Sequence, residues 1–495
     1  QLKTVTLLDR SMLTRVFATK DALSIALGYP FGTGAGGWEA LYHQYHRTPY
    51  WFTETHNHFA QMLVEVGFPG LLIYVLLWVA LAYAAVKAYA RAYGEGYGAA
   101  AESIKPEARA HDSSEAQKGP AFATKIASSA MAVFALGIHS AMDFDLSLPA
   151  IAVGMYAAIA VLVSDVGEYL PTLFKSAVFR FTPRLPGKKS QKKGARAQGE
   201  ALTFSLPMAL TIVVALVLVP AVTLTANMLY SGIEYGSRAV YAHASGDVKL
   251  ATRYLAEAAK RDKWNPSYHL ELAEWAVEDY VNTKNMVSKN MVPLYLKAAR
   301  HADPTNMERQ IMEFQMLRKI GELDEALKSH YQLILMMPTN RSYYESFADL
   351  GRACIERHIK ALSYAALEEA VREERLGNLS QCAELLETAF RILEMKRERV
   401  TGIYTKVFSP DGLNFTPKIS LAAGQVAYLR GEIQESGALL EAAAKDKNLA
   451  IEAYKWLAAL SEVSGYEVTF PEGFAPNTVE VHELVSVFGA IRPSK

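Results

Sequence analysis

Four long apolar segments constrain the fold of this chain more than any other feature. They span about residues 69–89, 126–144, 146–164 and 203–224. Each is close to the roughly 20 residues that an α-helix needs to cross a hydrocarbon core about 30 Å thick. Because a bilayer offers no water to backbone N–H and C=O groups, a single spanning segment is helical. The sequence therefore predicts four transmembrane helices, and a buried hairpin in a soluble protein is the alternative for the second and third.

Basic residues predict the orientation of these helices. The segment 165–202 holds eight Lys and Arg residues, and such a cluster beside membrane spans normally stays in the cytoplasm. Counting spans from this segment places 91–125 inside as well. Residues 1–66, the junction 139–149 and everything after about 225 are then predicted to lie outside.

Outside the apolar segments, the composition indicates a helical domain and excludes a few classes of partner and site. Past residue 230, charged and apolar residues alternate as in amphipathic helices. The 51 Lys and Arg balance the 51 Asp and Glu, so no nucleic-acid partner is expected. Two cysteines, Cys354 and Cys382, exclude a disulfide scaffold and a four-cysteine zinc site. They are interpreted as buried thiols, with a single disulfide as the alternative.

A spacing pattern recurs in the C-terminal half. The spacing of Gly246, Ala251, Leu255 and Ala258 returns after Gly321, Gly377 and Gly431, and Pro304 lies 34 residues before Pro338. This length is that of one tetratricopeptide repeat, which the segment resembles, although Phe314 stands where a small residue is usual. Such repeats bind partners through a concave face, so a protein partner is expected for residues 230–495.

The polar segment TETHNHFAQMLVEVGFPG, at 53–70, lies directly before the first apolar run. We expect Thr53 or Thr55 to cap a helix whose first turn holds His56, Asn57 and His58, and Gly67 with Pro69 to end or bend it. The positive end of a helix dipole disfavours a charged imidazole, which suits His56 to act as a general base. A purely structural role is the alternative.

Several elements of this region resemble the signature of a known family. They are Arg15, Pro30 with Gly32, Gly34, Gly36 and Gly37, His56-Asn57, Gln61, and Glu65-x-Gly67-x-x-Gly70. In this order, over about residues 10–90, they are similar to the O-antigen ligase and polymerase superfamily. The segment HSAMDFDLSLPA at 139–150 resembles a His-x-x-x-Asp-Phe segment found in many members with C-terminal repeats.

The resemblance implies a glycosyltransferase that uses neither metal nor cofactor. Such an enzyme transfers a glycan from undecaprenyl pyrophosphate, on the outer face of the bacterial cytoplasmic membrane, to a lipid, glycan or protein acceptor. The match assigns His56 as the base and Arg15 as a pyrophosphate ligand, and Arg47 is a second ligand candidate placed by its proximity to His56. Supporting residues are expected to be Asn57, Glu65, His139 and Asp143.

His139 and Asp143 are four residues apart and are expected to share one helical face. Asp143 could orient a histidine or contact the acceptor, or both residues could only shape the turn between two spans.

Two other motifs carry less weight. GTGAGGW at 32–38 lacks the Lys-Ser/Thr of a phosphate loop. His43, His46, His56 and His58 match no complete zinc pattern.

The sequence thus predicts an all-α membrane protein, with three further functions left open. Polymerisation of glycan units and O-linked transfer to a protein belong to the same superfamily, whereas a membrane-anchored scaffold for envelope assembly does not. The start at Gln1 is interpreted as an N-terminal truncation. The predicted segments are an outer loop at 1–66, three membrane helices within 67–164 with an inner loop near 91–125, a basic inner loop at 165–202, a last membrane helix within 203–229, and helical repeats at 230–495.

Overall fold

A computed structural model describes residues 10–102, 118–143, 145–169, 178–181, 202–363, 368–475 and 477–491. This part of the chain contains 17 α-helices and two short strands, which confirms the predicted all-α class. Helices α1 (Arg10–Gly28) and α2 (Gly37–Tyr45) come first. The strands β1 (Val178–Phe181) and β2 (Leu202–Ser205) form an antiparallel pair. Each lies within or beside the predicted basic loop.

Four helices are long and apolar enough to cross a membrane, as predicted. They are α3 (His58–Glu102), α4 (Lys118–His139), α5 (Pro149–Tyr169) and α6 (Leu206–Ala244). Helices α3, α4 and α5 pack together around small residues of α3, including Ala85, Ala88 and Ala92. Small side chains let membrane helices approach closely. Most other apolar side chains of these helices face outward, as a lipid-facing surface requires.

Eleven helices follow α6 in the described part of the chain. They are α7 (Val248–Arg261), α8 (Ser267–Thr283), α9 (Met286–Ala302), α10 (Met307–Lys319), α11 (Leu323–Met336), α12 (Arg341–Leu362), α13 (Glu369–Glu398), α14 (Pro417–Arg430), α15 (Ile433–Ala444), α16 (Ala450–Ser464) and α17 (Thr478–Val485). Short 3₁₀ turns occupy Asp145–Ser147, Gly402–Lys406 and Pro410–Leu413. Several of the helices begin where an Asp or Asn side chain accepts an N–H of the first turn, as at Asp247, Asn306 and Asn340.

The recurring positions behave alike in three of the four proposed repeats. Gly246, Gly321 and Gly431 have φ values of 87°, 79° and 77° and each lies at a turn before a helix. The small and apolar positions that follow them are buried. Gly377 differs because it lies inside the 30-residue helix α13 and not at a turn. The tetratricopeptide assignment stays a prediction.

The chain forms two compact units. The loop-and-helix unit contains the described residues up to Tyr29, Thr33–Thr55 and the described residues from Tyr235 onward. The membrane unit contains Pro30–Gly32 and the described residues in His56–Glu234. In the first unit, Leu13 and Phe17 of α1 belong to the same apolar core as α8 to α17. The N-terminal loop is therefore folded together with the C-terminal helices.

Two thiols lie inside the loop-and-helix unit. Cys354 on α12 and Cys382 on α13 are both buried and unbridged. This arrangement agrees with the interpretation of buried free thiols.

Candidate functional site

The membrane unit brings two glycine motifs into close contact. Gly67 interrupts α3 with φ 70° and ψ −173°, and the Phe68 N–H donates to the Pro30 carbonyl at 3.0 Å. A Cβ at Gly67 would lie 2.4 Å from the Pro30 oxygen, and one at Gly32 would lie 2.4 Å from the Glu65 oxygen. Two backbones can approach this closely only without side chains. The predicted bend at Gly67 is thus the place where the Pro30–Gly32 turn packs.

The start of α3 differs from the expectation. The helix begins at His58, and the Asn57 side chain accepts the Ala60 N–H at 3.1 Å, so Asn57 is the cap in place of Thr53 or Thr55. Asn is one of the strongest cap residues, because its short side chain reaches the first free N–H groups. His56 consequently lies outside the helix, in a left-handed conformation with φ 52°. His56 therefore does not occupy the position in the first helical turn from which the effect of the helix dipole was expected.

The end of α4 supplies the partner of this segment. The helix ends at His139, and the carbonyl of Ser140 accepts the His58 N–H at 2.8 Å. Asp143 lies in the turn that follows, and its N–H donates to the His139 carbonyl at 3.1 Å. The expectation that His139 and Asp143 share a helical face is therefore wrong, since the chain leaves the helix between them. His139 itself is exposed.

His56 and Asp143 form the central contact of the site. Nδ1 of His56 lies 3.2 Å from Oδ1 of Asp143, although 87 residues separate them in the chain. The side chains are 18% and 26% exposed, so the pair is shielded but reachable. If Nδ1 carries the proton and donates it to the carboxylate, Nε2 is the basic nitrogen. A carboxylate on Nδ1 can fix the tautomer and the orientation of an imidazole, which is an arrangement known from catalytic histidines.

Glu65 lies one helical turn beyond Gln61 on α3. The Gln61 amide donates to Oε1 of Glu65 at 2.7 Å, and Gln61 is buried. Glu65 also carries the carbonyl that closely approaches Gly32. The two predicted motif residues therefore support the contact between the Pro30–Gly32 turn and the bend at Gly67.

Arg15 and Arg47 belong to the loop-and-helix unit. Arg15 is half-buried on α1, whereas Arg47 is exposed and its guanidinium lies 5.1 Å from the centre of the Tyr404 ring. Phe17 packs on the same ring at 4.3 Å between centroids. Tyr404 follows α13 and carries no motif that would single it out, so its role in holding the loop could not be found from the sequence.

A buried carboxyl and a buried lysine lie in the same unit. The Tyr50 hydroxyl donates to Oδ2 of Asp21 at 2.6 Å, and burial raises the pKa of Asp21 to about 7. Nζ of Lys396 donates to the Gln44 carbonyl at 3.1 Å and to the His46 carbonyl at 3.4 Å. Burial lowers the pKa of Lys396 to about 8, with the positive charges of Arg399 and Arg47 acting in the same direction.

The histidines considered as metal ligands are divided between the two units. His43 and His46 are buried on or beside α2, and Nε2 of His46 lies 2.6 Å from the Thr339 hydroxyl. Burial lowers the pKa of His43 to about 4 and that of His46 well below its usual value. Within the described ranges, no group of three His, Cys, Asp or Glu side chains is arranged to hold a metal ion.

Comparison with known proteins identifies the N-terminal region. The family model for O-antigen ligase matches residues 2–75, which include α1, α2, His56 and the Gly67 bend. No curated protein matches the chain. The matched segment contains both glycine motifs and the histidine of the site, and it runs into the first of four candidate membrane helices. This match supports a relationship between residues 2–75 and the O-antigen ligase superfamily.

Proposed function

We propose that this protein is a glycosyltransferase that moves a glycan from undecaprenyl pyrophosphate to an acceptor hydroxyl, with His56 as the general base. The observation that supports this assignment most is the contact between His56 Nδ1 and Asp143 Oδ1 at 3.2 Å. An imidazole held by a carboxylate is an arrangement suited to removing a hydroxyl proton. The O-antigen ligase match over the same segment supports the choice of reaction.

The proposed step is an inverting displacement. The acceptor oxygen attacks C1 of the donor sugar and forms the new glycosidic bond, while the bond from C1 to the phosphate oxygen breaks. The lipid pyrophosphate leaves with the bonding electron pair, and Nε2 of His56 takes the acceptor proton. Asp143 stabilises the resulting imidazolium, because an opposite charge within hydrogen-bond distance favours the charged form.

Arg15 and Arg47 are proposed to bind the pyrophosphate. A guanidinium stays charged at all physiological pH values and presents a planar set of donors that matches phosphate oxygens. Charge develops on the leaving group during the displacement, so arginines placed there stabilise the transition state more than the ground state. Arg15 lies within the matched motif, and Arg47 is exposed beside Tyr404.

The setting of the reaction follows from the topology proposed above. Residues 1–66 and 230–495 would face the outer side of the bacterial cytoplasmic membrane, where a lipid-linked glycan is presented. The acceptor remains open among a lipid, a growing glycan and a Ser or Thr of a protein. Analysis of the product distinguishes a ligase, a polymerase and a protein glycosyltransferase.

The test is transfer by the purified full chain in lipid vesicles with a lipid-linked glycan. We expect His56→Gln to lower kcat by about 100-fold or more, the usual contribution of a general base. Asp143→Asn should lower kcat with little change in KM, since it acts through His56 and not through substrate binding. His301→Gln, a change at an exposed histidine of α9, is the matched control and should transfer at the wild-type rate.

The same variants separate catalysis from a scaffold role. If His56→Gln and Asp143→Asn both transfer glycan at the wild-type rate, His56 is not the base. If His56→Gln also restores envelope assembly fully in a cell that lacks the native protein, the membrane-anchored scaffold is the better explanation.

A further inference from the structure

The loop-and-helix unit contains a cavity that the proposed chemistry does not use. Its volume is about 340 Å³, and its walls come from α2, the segment Trp51–Thr53, the turn Asp303–Met307, and the end of α11. This volume is within the range of about 300–1,000 Å³ that is usual for small-molecule sites. Segments from the N-terminal loop and from the C-terminal helices both line the cavity. The cavity therefore exists only because the N-terminal loop is folded onto the C-terminal helices.

One wall presents an exposed aromatic ring on a rigid support. Trp51 is 63% exposed, and its ring lies 5.1 Å from that of His43. The next residue is fixed, because the buried Trp38 indole donates to the Phe52 carbonyl at 3.1 Å. An exposed large ring that is held in place costs little entropy when it binds a flat apolar surface.

Another part of the lining presents oxygen acceptors in a fixed turn. Oδ1 of Asp303 accepts both the N–H and the hydroxyl of Thr305 at 3.1 Å, and its Oδ2 forms no hydrogen bond with the described residues. The buried Arg309 holds this turn by donating to the carbonyls of Asp303 and Pro304. Asn306 and Glu39 add further polar groups at the edge of the cavity.

A buried histidine also lines the cavity. His43 is 7% exposed, and its Nδ1 is buried without a hydrogen-bond partner among the described residues. Burial keeps this imidazole neutral at neutral pH, so its ring nitrogens can serve as one donor and one acceptor. A neutral imidazole adds no positive charge to the lining, so Glu39 and Asp303 are the charged side chains that line the cavity in the described part of the chain.

The geometry points to a saccharide unit as the ligand of this cavity. One face of a pyranose ring exposes C–H groups and packs on an indole, while its hydroxyls donate to carboxylate and amide oxygens. The lining residues in the described part of the chain include Glu39 and Asp303 and no Lys or Arg, which disfavours a phosphate or another anion. This inference rests on the proposed glycosyl transfer, since the saccharide would belong to the acceptor or to the donor glycan.

Direct binding tests the inference independently of catalysis. The full chain in detergent is screened against an array of hexose, heptose and N-acetylhexosamine oligosaccharides, and the best binder is titrated by calorimetry. We expect Trp51→Ala to weaken this binding by about tenfold or more, the typical loss when an aromatic anchor is truncated. Trp51→Phe retains a ring and should lose less, and Trp264→Ala, a change at an exposed tryptophan outside the cavity, should bind as the wild type does.

A second variant addresses the polar wall without unfolding it. Asp303→Asn keeps Oδ1 as the acceptor for Thr305 and replaces Oδ2 by an N–H₂ donor, so binding should weaken while the melting temperature is kept. Saccharide binding should also persist in His56→Gln, which separates this inference from the assignment of the base. In the transfer assay, Trp51→Ala should raise the KM of one substrate, and that substrate identifies the source of the sugar.

Three results would overturn the inference. One is that no saccharide on the array binds the wild type more tightly than Trp51→Ala. Another is that Trp264→Ala and Trp51→Ala lose binding equally, which would point to a general effect of removing a surface indole. The third is that tetramethylammonium displaces the saccharide at equal concentration, because the acidic aromatic cavity would then be a site for organic cations.

Discussion

Gly67 has a backbone environment that only glycine fits without strain. Its φ of 70° with ψ of −173° lies in a region that is essentially closed to residues with a side chain. The Pro30 carbonyl and the Gly32 backbone occupy the space where a Cβ would be. Both the conformation and the contact therefore require glycine. The bend lies within α3, and the position of His56 depends on this helix because His56 lies two residues before its first residue, His58.

We predict that Gly67→Ala destabilises the protein, with about 1–3 kcal/mol from backbone strain alone. Gly94→Ala is the matched control, since Gly94 is on the same helix with nothing within 4 Å of its Cβ position, and alanine is favoured over glycine inside a helix. Melting temperatures of the two variants in the same detergent test this. Equal melting temperatures would show that the contact of the Pro30–Gly32 turn with Gly67 does not contribute.

At the residue level, the sequence indicated the candidate site residues but not the contact between them. His56 and Asp143 could each be selected because they lie beside apolar segments in recognisable patterns. Their contact depends on Asn57 as the cap of α3 and on the end of α4 at His139. Thr53, Thr55 and Asn57 are all good cap residues. The structure has Asn57 as the cap, next to the tertiary bond from His58 to Ser140, which no local pattern indicates.

Among the structural elements, α1 and the segment after α2 are joined by an unusual carboxyl. Asp21 is 5% exposed and accepts a hydrogen bond from Tyr50. Burial raises its pKa from 3.8 to about 7, so the folded state favours the protonated acid. The stabilisation relative to the ionised carboxyl is fully present below about pH 3.8 and is lost as the pH rises through 7.

We predict that Asp21→Asn removes this loss of stability at higher pH, because the uncharged amide resembles the protonated acid. Between pH 4 and pH 8, the melting temperature of Asp21→Asn should rise relative to that of the wild type as the pH increases. The buried histidines contribute a pH dependence of opposite sign, which is common to both proteins. Parallel melting curves over this range would show that Asp21 does not titrate within it.

The elements themselves were predictable where one physical constraint dominates. A long apolar run has one solution in a bilayer, so all four candidate membrane helices could be identified from the sequence. The repeat pattern was less informative. Gly246, Gly321 and Gly431 mark turns, but Gly377 is exposed inside a helix, because an isolated glycine costs a long helix only about 1 kcal/mol.

At the scale of the whole molecule, the folding of the N-terminal loop onto the C-terminal helices was not predictable. Phe17 and Tyr404 pack at 4.3 Å, and Lys396 binds two carbonyls near the end of α2. These contacts join segments that are at least 350 residues apart, and no local pattern encodes which distant side chain a surface will meet. The loop and the helices must nevertheless be on one side of the membrane to form a single unit.

This requirement leads to a prediction about topology. If residues 1–66 and 230–495 face outward and 165–202 faces inward, single cysteines on the two sides should differ in reactivity. We expect Lys447→Cys, at an exposed position, to react with a bulky membrane-impermeant maleimide in intact spheroplasts. Lys192→Cys, in the basic segment, should react only after permeabilisation. Both are made in a Cys354→Ala and Cys382→Ala background, which removes the native thiols.

The labelling pattern separates three arrangements of the chain. Reaction at position 447 alone in intact spheroplasts supports an outward loop-and-helix unit, as transfer from an outward-facing lipid carrier requires. Reaction at position 192 alone would invert the orientation and remove His56 from the side on which the carrier glycan is proposed to lie. Reaction at both positions before permeabilisation would mean that α6 does not cross the membrane, because it is the one candidate span between them in the described residues.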